Sequence, residues 1–310
     1  MPDIVVTEFM DEAAVADLSA THDVVYDPKL VDRAEDLVRL LADARGLIVR
    51  NRTQVRGVLL EAAPRLKAVG RLGVGLDNID VAACEARGIA VLPATGANDD
   101  SVAEYVIAGL LMLRRSAYFA SAEVAAGGWP RNRLMGREAL GATLGLVGFG
   151  AIARAVAIRA RALGMRIVAS DPFVPADSPH WAAFGATKVD LDRLVADSDV
   201  ISLHVPLTAE TRGLFGADRL AAMRPGSVLI NAARGGVVDE AALAASLRAG
   251  HLGGAMLDVF DAEPLPGGGP LVDVPNLILT PHVAGVTVES NERVSAVTVA
   301  NVRRILGSRP

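Results

Sequence analysis

The chain has a single cysteine, Cys84, in 310 residues, which excludes an intramolecular disulfide and leads us to expect a reducing compartment. No basic run is longer than the arginine pairs at 114–115 and 303–304. With a net charge of −5 and a pI near 5.6, nucleic-acid binding is not expected. No stretch reaches about 18 uninterrupted apolar residues, so no membrane span is expected. The opening MPDIVVTEF enters a strand without a basic segment and long apolar core, so a cytoplasmic protein is expected. No His/Cys cluster has zinc-ligand spacing, and no metal is expected. No internal repeat is visible, and low complexity is confined to Gly267–Gly269.

What the chain does have is hydrophobic residues, 51% of the total, ample for two cores. A first βα series reads as strands at Ile4–Thr7, Asp23–Val25, Gly46–Val49, Leu66–Gly70 and Ile89–Leu92. Helical patterns fall between them at Asp11–Leu18, Leu30–Ala42, Thr53–Ala63 and Asn78–Arg87. A long apolar helix follows, with Ser101 read as its N-cap and Glu104 at N3. The second series has strands at Thr143–Val147, Arg166–Ser170, Val200–His204, Ser227–Asn231, Gly254–Asp258 and Leu277–Thr280. The last helix, Val288–Leu306, is expected to return to the first domain. The fold class is therefore α/β, two Rossmann-like doubly wound parallel sheets with a hinged cleft, divided as 1–98 plus 286–310 and 99–285.

Within the second series, Gly148-Phe149-Gly150 forms the tight turn between a buried strand and a helix, in a GxGxxA pattern ending at Ala153. Glycines there let the backbone approach a pyrophosphate, whose charge the helix N-terminus favours. Asp171 ends the next strand, 18 residues after Ala153, where an acid can accept from ribose hydroxyls and repel a 2′-phosphate. NAD rather than NADP is the expected cofactor.

Three polar residues then stand on separate loops after apolar runs: Arg234 in NAARGGVVDE, Glu263 in LDVFDAEPLP and His282 in LTPHVAG. A guanidinium, a carboxylate and an imidazole are the parts needed to hold a 2-oxo or 2-hydroxy acid and move its proton. A neighbouring Glu stabilises an imidazolium and helps it donate a proton during reduction.

The motifs VGRLGVGLDNID, GLVGFGAIA, LHVPLT, NAARGGVVDEAAL, LDVFDAEP and TPHVAG, in this order over residues 69–285, resemble the D-isomer-specific 2-hydroxyacid dehydrogenases. Within the family the sequence is similar to the 3-phosphoglycerate dehydrogenase branch, and LIVRNRTQV and PHVAGVTVESNERVS are similar to its sulfolactate dehydrogenases. The resemblance implies that Arg234 binds the substrate carboxylate and carbonyl, that His282 transfers the proton and that Glu263 pairs with His282. It places the backbone of Val74 and Gly75 on the carboxylate as a second grip. For the cofactor it implies Ala151 and Ile152 at the pyrophosphate beside Gly148 and Gly150, and Val205 and Pro206 near the adenosine. Ala232 is implied beside the nicotinamide and Asp258 on its carboxamide, with Gly285 among the cofactor-binding residues. Many relatives carry a basic side chain at the position of Ala151, so pyrophosphate contact there is expected from backbone alone.

Arg50, Asn51 and Arg52, after the third strand, are the expected substrate-choosing residues. Three arginines, Arg50, Arg52 and Arg234, would suit a dianion with a carboxylate at one end and a sulfonate or phosphate at the other. Arg131 and Arg133 could reach in from a partner subunit, as similar loops do in this family, and a homodimer is expected. The substrate ranking runs from 3-sulfolactate through 3-phosphoglycerate to glycerate, glyoxylate or hydroxypyruvate. A non-enzymatic NAD-sensing corepressor is the alternative of another class, and the intact catalytic trio speaks against it.

Overall fold

The computed structural model describes residues 2–307, which form two separate all-parallel sheets. The chain divides into one unit of Met1–Asn98 with Val286–Pro310 and a second of Asp99–Gly285. Met1 and residues 308–310 lie outside the described residues.

The first unit runs β1 (Ile4–Val6), α1 (Glu12–Ser19), β2 (Val24–Tyr26), α2 (Ala34–Leu41), β3 (Gly46–Val49), α3 (Val58–Glu61), β4 (Ala68–Arg71), α4 (Val81–Ala86) and β5 (Ala90–Pro93). Its sheet order is β2-β1-β3-β4-β5, a doubly wound arrangement. Side chains alternate across it as a strand requires: Ile4 and Val6 join Leu18, Val302 and Leu306 on one face, and Val5 joins Leu37, Leu41 and Leu60 on the other. The closing helix Val288–Leu306 starts at a reciprocal cap between Thr287 and Ser290 and packs on α1 and β4.

Three expected helices are shorter than their sequence patterns. The pattern at Asn78–Arg87 keeps only α4, which starts after the Asp80 cap. The pattern at Leu30–Ala42 becomes a 3₁₀ turn, Leu30–Asp32, and α2, because Arg33 leaves helical geometry at φ −127° and pairs with Asp27. The pattern at Thr53–Ala63 keeps only α3. The amide of Thr53 goes to the Glu8 carboxylate and that of Val55 to the Asn78 carbonyl, so the segment is held extended.

The second unit contains α5 (Asp99–Arg115), α6 (Ser121–Ala125), β6 (Thr143–Val147), α7 (Ala151–Ala162), β7 (Arg166–Ser170), α8 (Pro179–Ala183), β8 (Ala186–Lys188), α9 (Leu191–Asp197), β9 (Val200–Leu203), α10 (Ala217–Ala222), β10 (Val228–Asn231), α11 (Glu240–Arg248), β11 (Gly254–Leu257) and β12 (Leu277–Leu279). Seven strands are ordered β12-β11-β10-β9-β6-β7-β8, one more than the six expected, because β8 is too short to show in the sequence pattern. Helix α5 begins at Asp99, so Ser101 lies inside its first turn rather than at the cap, and the acidic pair Asp99–Asp100 suits the helix N-terminus. Leu110, Leu144, Leu146 and Val156 fill the layer beneath α5 and α7, while Ile201, Leu203, Leu229 and Leu243 fill the opposite face. The chain order reverses between β6 and β9, a switch point beyond whose carboxyl ends open α/β sheets bind ligands.

Candidate active site

Gly148 follows β6 at the switch point with φ +88°, a left-handed conformation. A Cβ there would stand 2.5 Å from the His204 carbonyl oxygen at the end of β9. Phe149 is fully buried and stacks on Trp181, with centroids 4.6 Å apart, which anchors the turn. Gly150 is the N-cap of α7 and supplies no side-chain cap. A Cβ on it would meet nothing within 4 Å, so there is open space beside the uncapped start of the helix. By contrast, α11 is capped by Asp239, which accepts from Ala242 N at 2.9 Å. Ala151 is exposed and Ile152 half-buried beside this opening.

Asp171, after β7, closes the turn: Oδ2 accepts from Phe149 N and Oδ1 from Phe173 N, each at 2.8 Å. A carboxylate has about four acceptor positions, so ribose hydroxyls can still bind. The open cradle at Gly150, the uncapped helix and the acid beside the glycine turn fit a dinucleotide pyrophosphate and ribose. Val205 is half-buried and Pro206 exposed in the loop after β9, while Ala232 is half-buried after β10. The arginines of α7 are engaged elsewhere: Arg154 lies over the Phe184 ring and Arg159 pairs with Asp100 at 2.7 Å.

Arg234 is placed by the turn after β10. Asn231 ties that turn, donating from Nδ2 to the Arg234 carbonyl at 2.9 Å and accepting from Ala233 N at 3.0 Å. At Gly235 a Cβ would lie 1.8 Å from the Phe260 carbonyl oxygen, so only glycine lets the loops after β10 and β11 press together. Glu263 accepts from Phe260 N at 3.1 Å through Oε1 and from His282 Nδ1 at 2.7 Å through Oε2. Burial pushes its pKa up, but the His282 hydrogen bond and charge, the Phe260 amide and the nearby Arg234 charge outweigh it and hold Glu263 below the usual carboxylate range. The trio therefore gathers at the carboxyl ends of β10, β11 and β12, and Asp261 instead donates its amide to Glu240. With Nδ1 on Glu263, Nε2 is the nitrogen left to carry a proton.

His282 sits in a left-handed conformation, φ +56°, and donates its amide to the Asp258 carbonyl at 2.9 Å. Asp258 is 1% exposed. Oδ1 accepts from Thr280 Oγ1 at 2.6 Å and Val283 N at 2.8 Å, and Oδ2 from Ala284 N at 2.8 Å. Tyr105 on α5 extends this network, because its hydroxyl pairs with Thr280 Oγ1. Thr280 gives its one hydrogen to Asp258, so Tyr105 must be the donor, and burial, the largest influence on it, pushes its pKa up to about 12. Sequence reasoning missed Tyr105 and Thr280, and no motif signals a contact spanning 175 residues.

In the first unit, Asn51 is exposed, and its Oδ1 accepts from Nη2 of the buried Arg71 at 2.7 Å. Val74 and Gly75 are half-buried in the loop after β4. Arg50 donates to Asn291 Oδ1 at 2.8 Å. Arg52 pairs with Asp32 on exposed surface, and Arg133, in the second unit, likewise pairs with Glu123. The residue overlooked here is Glu8, whose buried carboxylate accepts from the backbone of residues 50–53. Among the described residues, no group of three or more His, Cys, Asp or Glu side chains could hold a metal ion, and no helix is long and apolar enough to cross a membrane.

The chain is 59% identical to the (S)-sulfolactate dehydrogenase of Chromohalobacter salexigens over all of both chains. It is 39% identical to the D-3-phosphoglycerate dehydrogenase of Archaeoglobus fulgidus, over 96% of this chain and 56% of that one, so it spans little more than half of that relative. Among solved structures, the NAD-dependent formate dehydrogenase of Staphylococcus aureus in complex with NAD superposes with a TM-score of 0.84 at 30% identity, covering 98% of this chain and 96% of that one. The profile of the D-isomer specific 2-hydroxyacid dehydrogenase NAD binding domain matches residues 107–284. With the uncapped glycine turn and the gathered Arg, Glu and His, these likenesses establish that the chain belongs to the D-isomer specific 2-hydroxyacid dehydrogenases, NAD-dependent oxidoreductases acting on the CH–OH group of a 2-hydroxy acid.

Proposed function

We propose that the substrate is a dianionic 2-hydroxy acid, 3-sulfolactate, and that Arg234, Glu263 and His282 do the chemistry. The observation that carries the catalytic reading is the 2.7 Å bond from His282 Nδ1 to Glu263, beside Arg234. The Arg234 fork holds the substrate carboxylate and carbonyl oxygen. His282 takes the hydroxyl proton at Nε2 during oxidation and returns it during reduction. Glu263 accepts from Nδ1 and favours the imidazolium that forms. NAD, when bound, supplies the acceptor for the hydride leaving Cα. Gly148, Gly150, Ala151 and Ile152 bind its pyrophosphate, Asp171 its ribose, Val205 and Pro206 its adenosine side, and Ala232, Asp258 and Gly285 its nicotinamide side.

Support for sulfolactate comes from the relative that bears that name and from Arg50 and Asn51 in the first unit, with the backbone of Val74 and Gly75 as a second carboxylate grip. The tie between Arg52 and Asp32 favours a second reading, a smaller acid such as glycerate, because it occupies one of the three arginines. We place the enzyme in the cytoplasm as a homodimer. The lone Cys84 suits that compartment, and the exposed Tyr118, Phe119, Val124, Trp129 and Met135 form an apolar stretch of the kind that association covers.

The test is initial-rate NADH formation with both enantiomers of 3-sulfolactate, D-3-phosphoglycerate, D-glycerate and D-lactate, with NADP as the cofactor control. A kcat/KM for sulfolactate well above the rest supports the dianion, and a glycerate preference makes Arg52 a bystander. Arg234→Ala is expected to leave NAD affinity intact and to lower kcat/KM by roughly a hundredfold or more. Unchanged turnover rejects its role. Silence on every acid with NAD still bound rejects the sulfolactate reading and moves the search to other 2-hydroxy acids.

A further inference from the structure

Four consecutive backbone amides converge on one carboxylate in the first unit. Glu8, 5% exposed, accepts from Arg50 N at 2.9 Å and Thr53 N at 3.0 Å through Oε1, and from Asn51 N at 3.1 Å and Arg52 N at 3.0 Å through Oε2. A turn that directs successive amides to one point is a ready anion site, and here the protein's own side chain fills it. The same turn is held from two other sides. Thr7 and Thr53 share a hydroxyl hydrogen bond of 2.7 Å, and Asn78 Nδ2 donates to the carbonyls of Arg50 at 3.2 Å and Thr53 at 2.7 Å. Burial pushes the Glu8 pKa up, yet the amides outweigh it and hold the group below the usual carboxylate range. Glu8 therefore stays an acceptor at neutral pH.

We infer that Glu8 is a positioning residue for substrate choice: by occupying the amide nest of residues 50–53 it leaves only the Arg50, Asn51 and Arg52 side chains to read the acid, and it sets their directions. The inference rests on the reading above that this loop meets substrate. Its amides cannot serve a sulfonate or phosphate while Glu8 fills them, so selectivity depends on side chains whose backbone one distant carboxylate fixes. Glu8→Gln puts an NH₂ donor against two of the four amide donors, which loosens the loop without touching the catalytic trio.

The experiment uses the full chain of Glu8→Gln, with Glu8→Asp as the conservative variant. It reads KM and kcat for the wild type's preferred acid, KM for NAD, and hydrogen exchange of residues 50–53. The expected result is a KM for the acid raised about tenfold, with kcat and the KM for NAD within about twofold, faster exchange of these four amides, and partial recovery in Glu8→Asp. Faster exchange with an unchanged acid KM overturns the inference, since the loop is then loosened without consequence for the substrate. So does unchanged exchange, and so does a loss of kcat with a matching rise in the KM for NAD, which marks a general fold defect. If Glu8→Gln does not fold, Asn78→Ala loosens the same turn from its carbonyl side. The same acid-specific KM rise then supports the inference, and its absence overturns it. A wild type that prefers a singly charged acid defeats the dianion reading alone, because the Glu8 comparison is read on whichever acid is preferred.

Discussion

The loop carrying His282 and the loop of residues 50–53 solve the same problem with different reach. Each is irregular backbone at the carboxyl end of a parallel strand, and each is gathered by one buried carboxylate. Asp258 takes the amides of Val283 and Ala284 with the Thr280 hydroxyl, and Glu8 takes four successive amides. Asp258 stands at the end of β11, on the strand next to the one whose loop it holds, whereas Glu8 reaches across 42–45 residues from the end of β1. In both cases the strand supplies the acid and the neighbouring strand supplies the loop, so register in the sheet fixes the geometry of a site. The difference lies in what is held. Asp258 grips a left-handed backbone at the proposed proton carrier, and Glu8 grips a turn whose side chains are tied in turn to Asn291, Arg71 and Asp32.

The comparison breaks most sharply at Asp258. Asp258→Ala removes the acceptor for two amides and a hydroxyl, and kcat/KM is expected to fall by roughly a hundredfold. A loss confined to the KM for NAD would mean that only the proposed nicotinamide contact of Asp258, and not its hold on the His282 loop, matters for turnover. A third carboxylate sharpens the point, since Asp171 also holds an amide, that of Phe149, and is the acid proposed to meet the ribose. Asp171→Ala should narrow the preference for NAD over NADP by about tenfold, and a constant ratio in paired kinetics removes it from that role. Tyr105→Phe, which deletes only the outermost donor of the Asp258 network, should lower kcat by about threefold to tenfold with little change in melting temperature. Equal kcat would show that Thr280 alone suffices.

The smallest effect is on stability at acid pH. His204 is half-buried as a residue, yet enclosure of its ring pushes its pKa down to about 4 from 6.5. A folded state that resists protonation loses stability as pH falls from about 6.5 toward 4. Glu8 and Glu263 are held below their ordinary 4.5, so what they contribute is present above that value and is lost only as pH falls beneath it. Melting temperatures between pH 7 and pH 3 should thus decline in two stages. His204→Leu should flatten the first, and Glu8→Gln the second; a single stage unaffected by either would contradict both assignments.

How much of this was legible in the sequence follows from distance along the chain. The glycine turn, Asp171 and the Arg234, Glu263 and His282 trio lie in short motifs because each is set by its own strand-loop junction. The short strand β8, the break at Arg33 and the unwound start of the Thr53–Ala63 pattern depended on partners elsewhere, such as Asn78 for Val55 and Asp27 for Arg33. Glu8, Arg71, Tyr105 and Thr280 were silent for the same reason. A buried Glu after a strand looks like any strand-end acid until the loop that it holds is in place. Arg52 shows the converse: a cation in a suggestive position that the fold engages with Asp32.

The left-handed backbone at His282 carries a consequence for how this enzyme can be improved. A non-glycine residue at φ +56° costs of the order of 1 kcal/mol, which glycine, and in part asparagine, would avoid. Selection for relief of that strain alone would accept His282→Gly, and would forfeit the Glu263 bond and the proposed proton carrier with it. A screen for sturdier variants has to score turnover alongside survival, because at this one position the two pull in opposite directions.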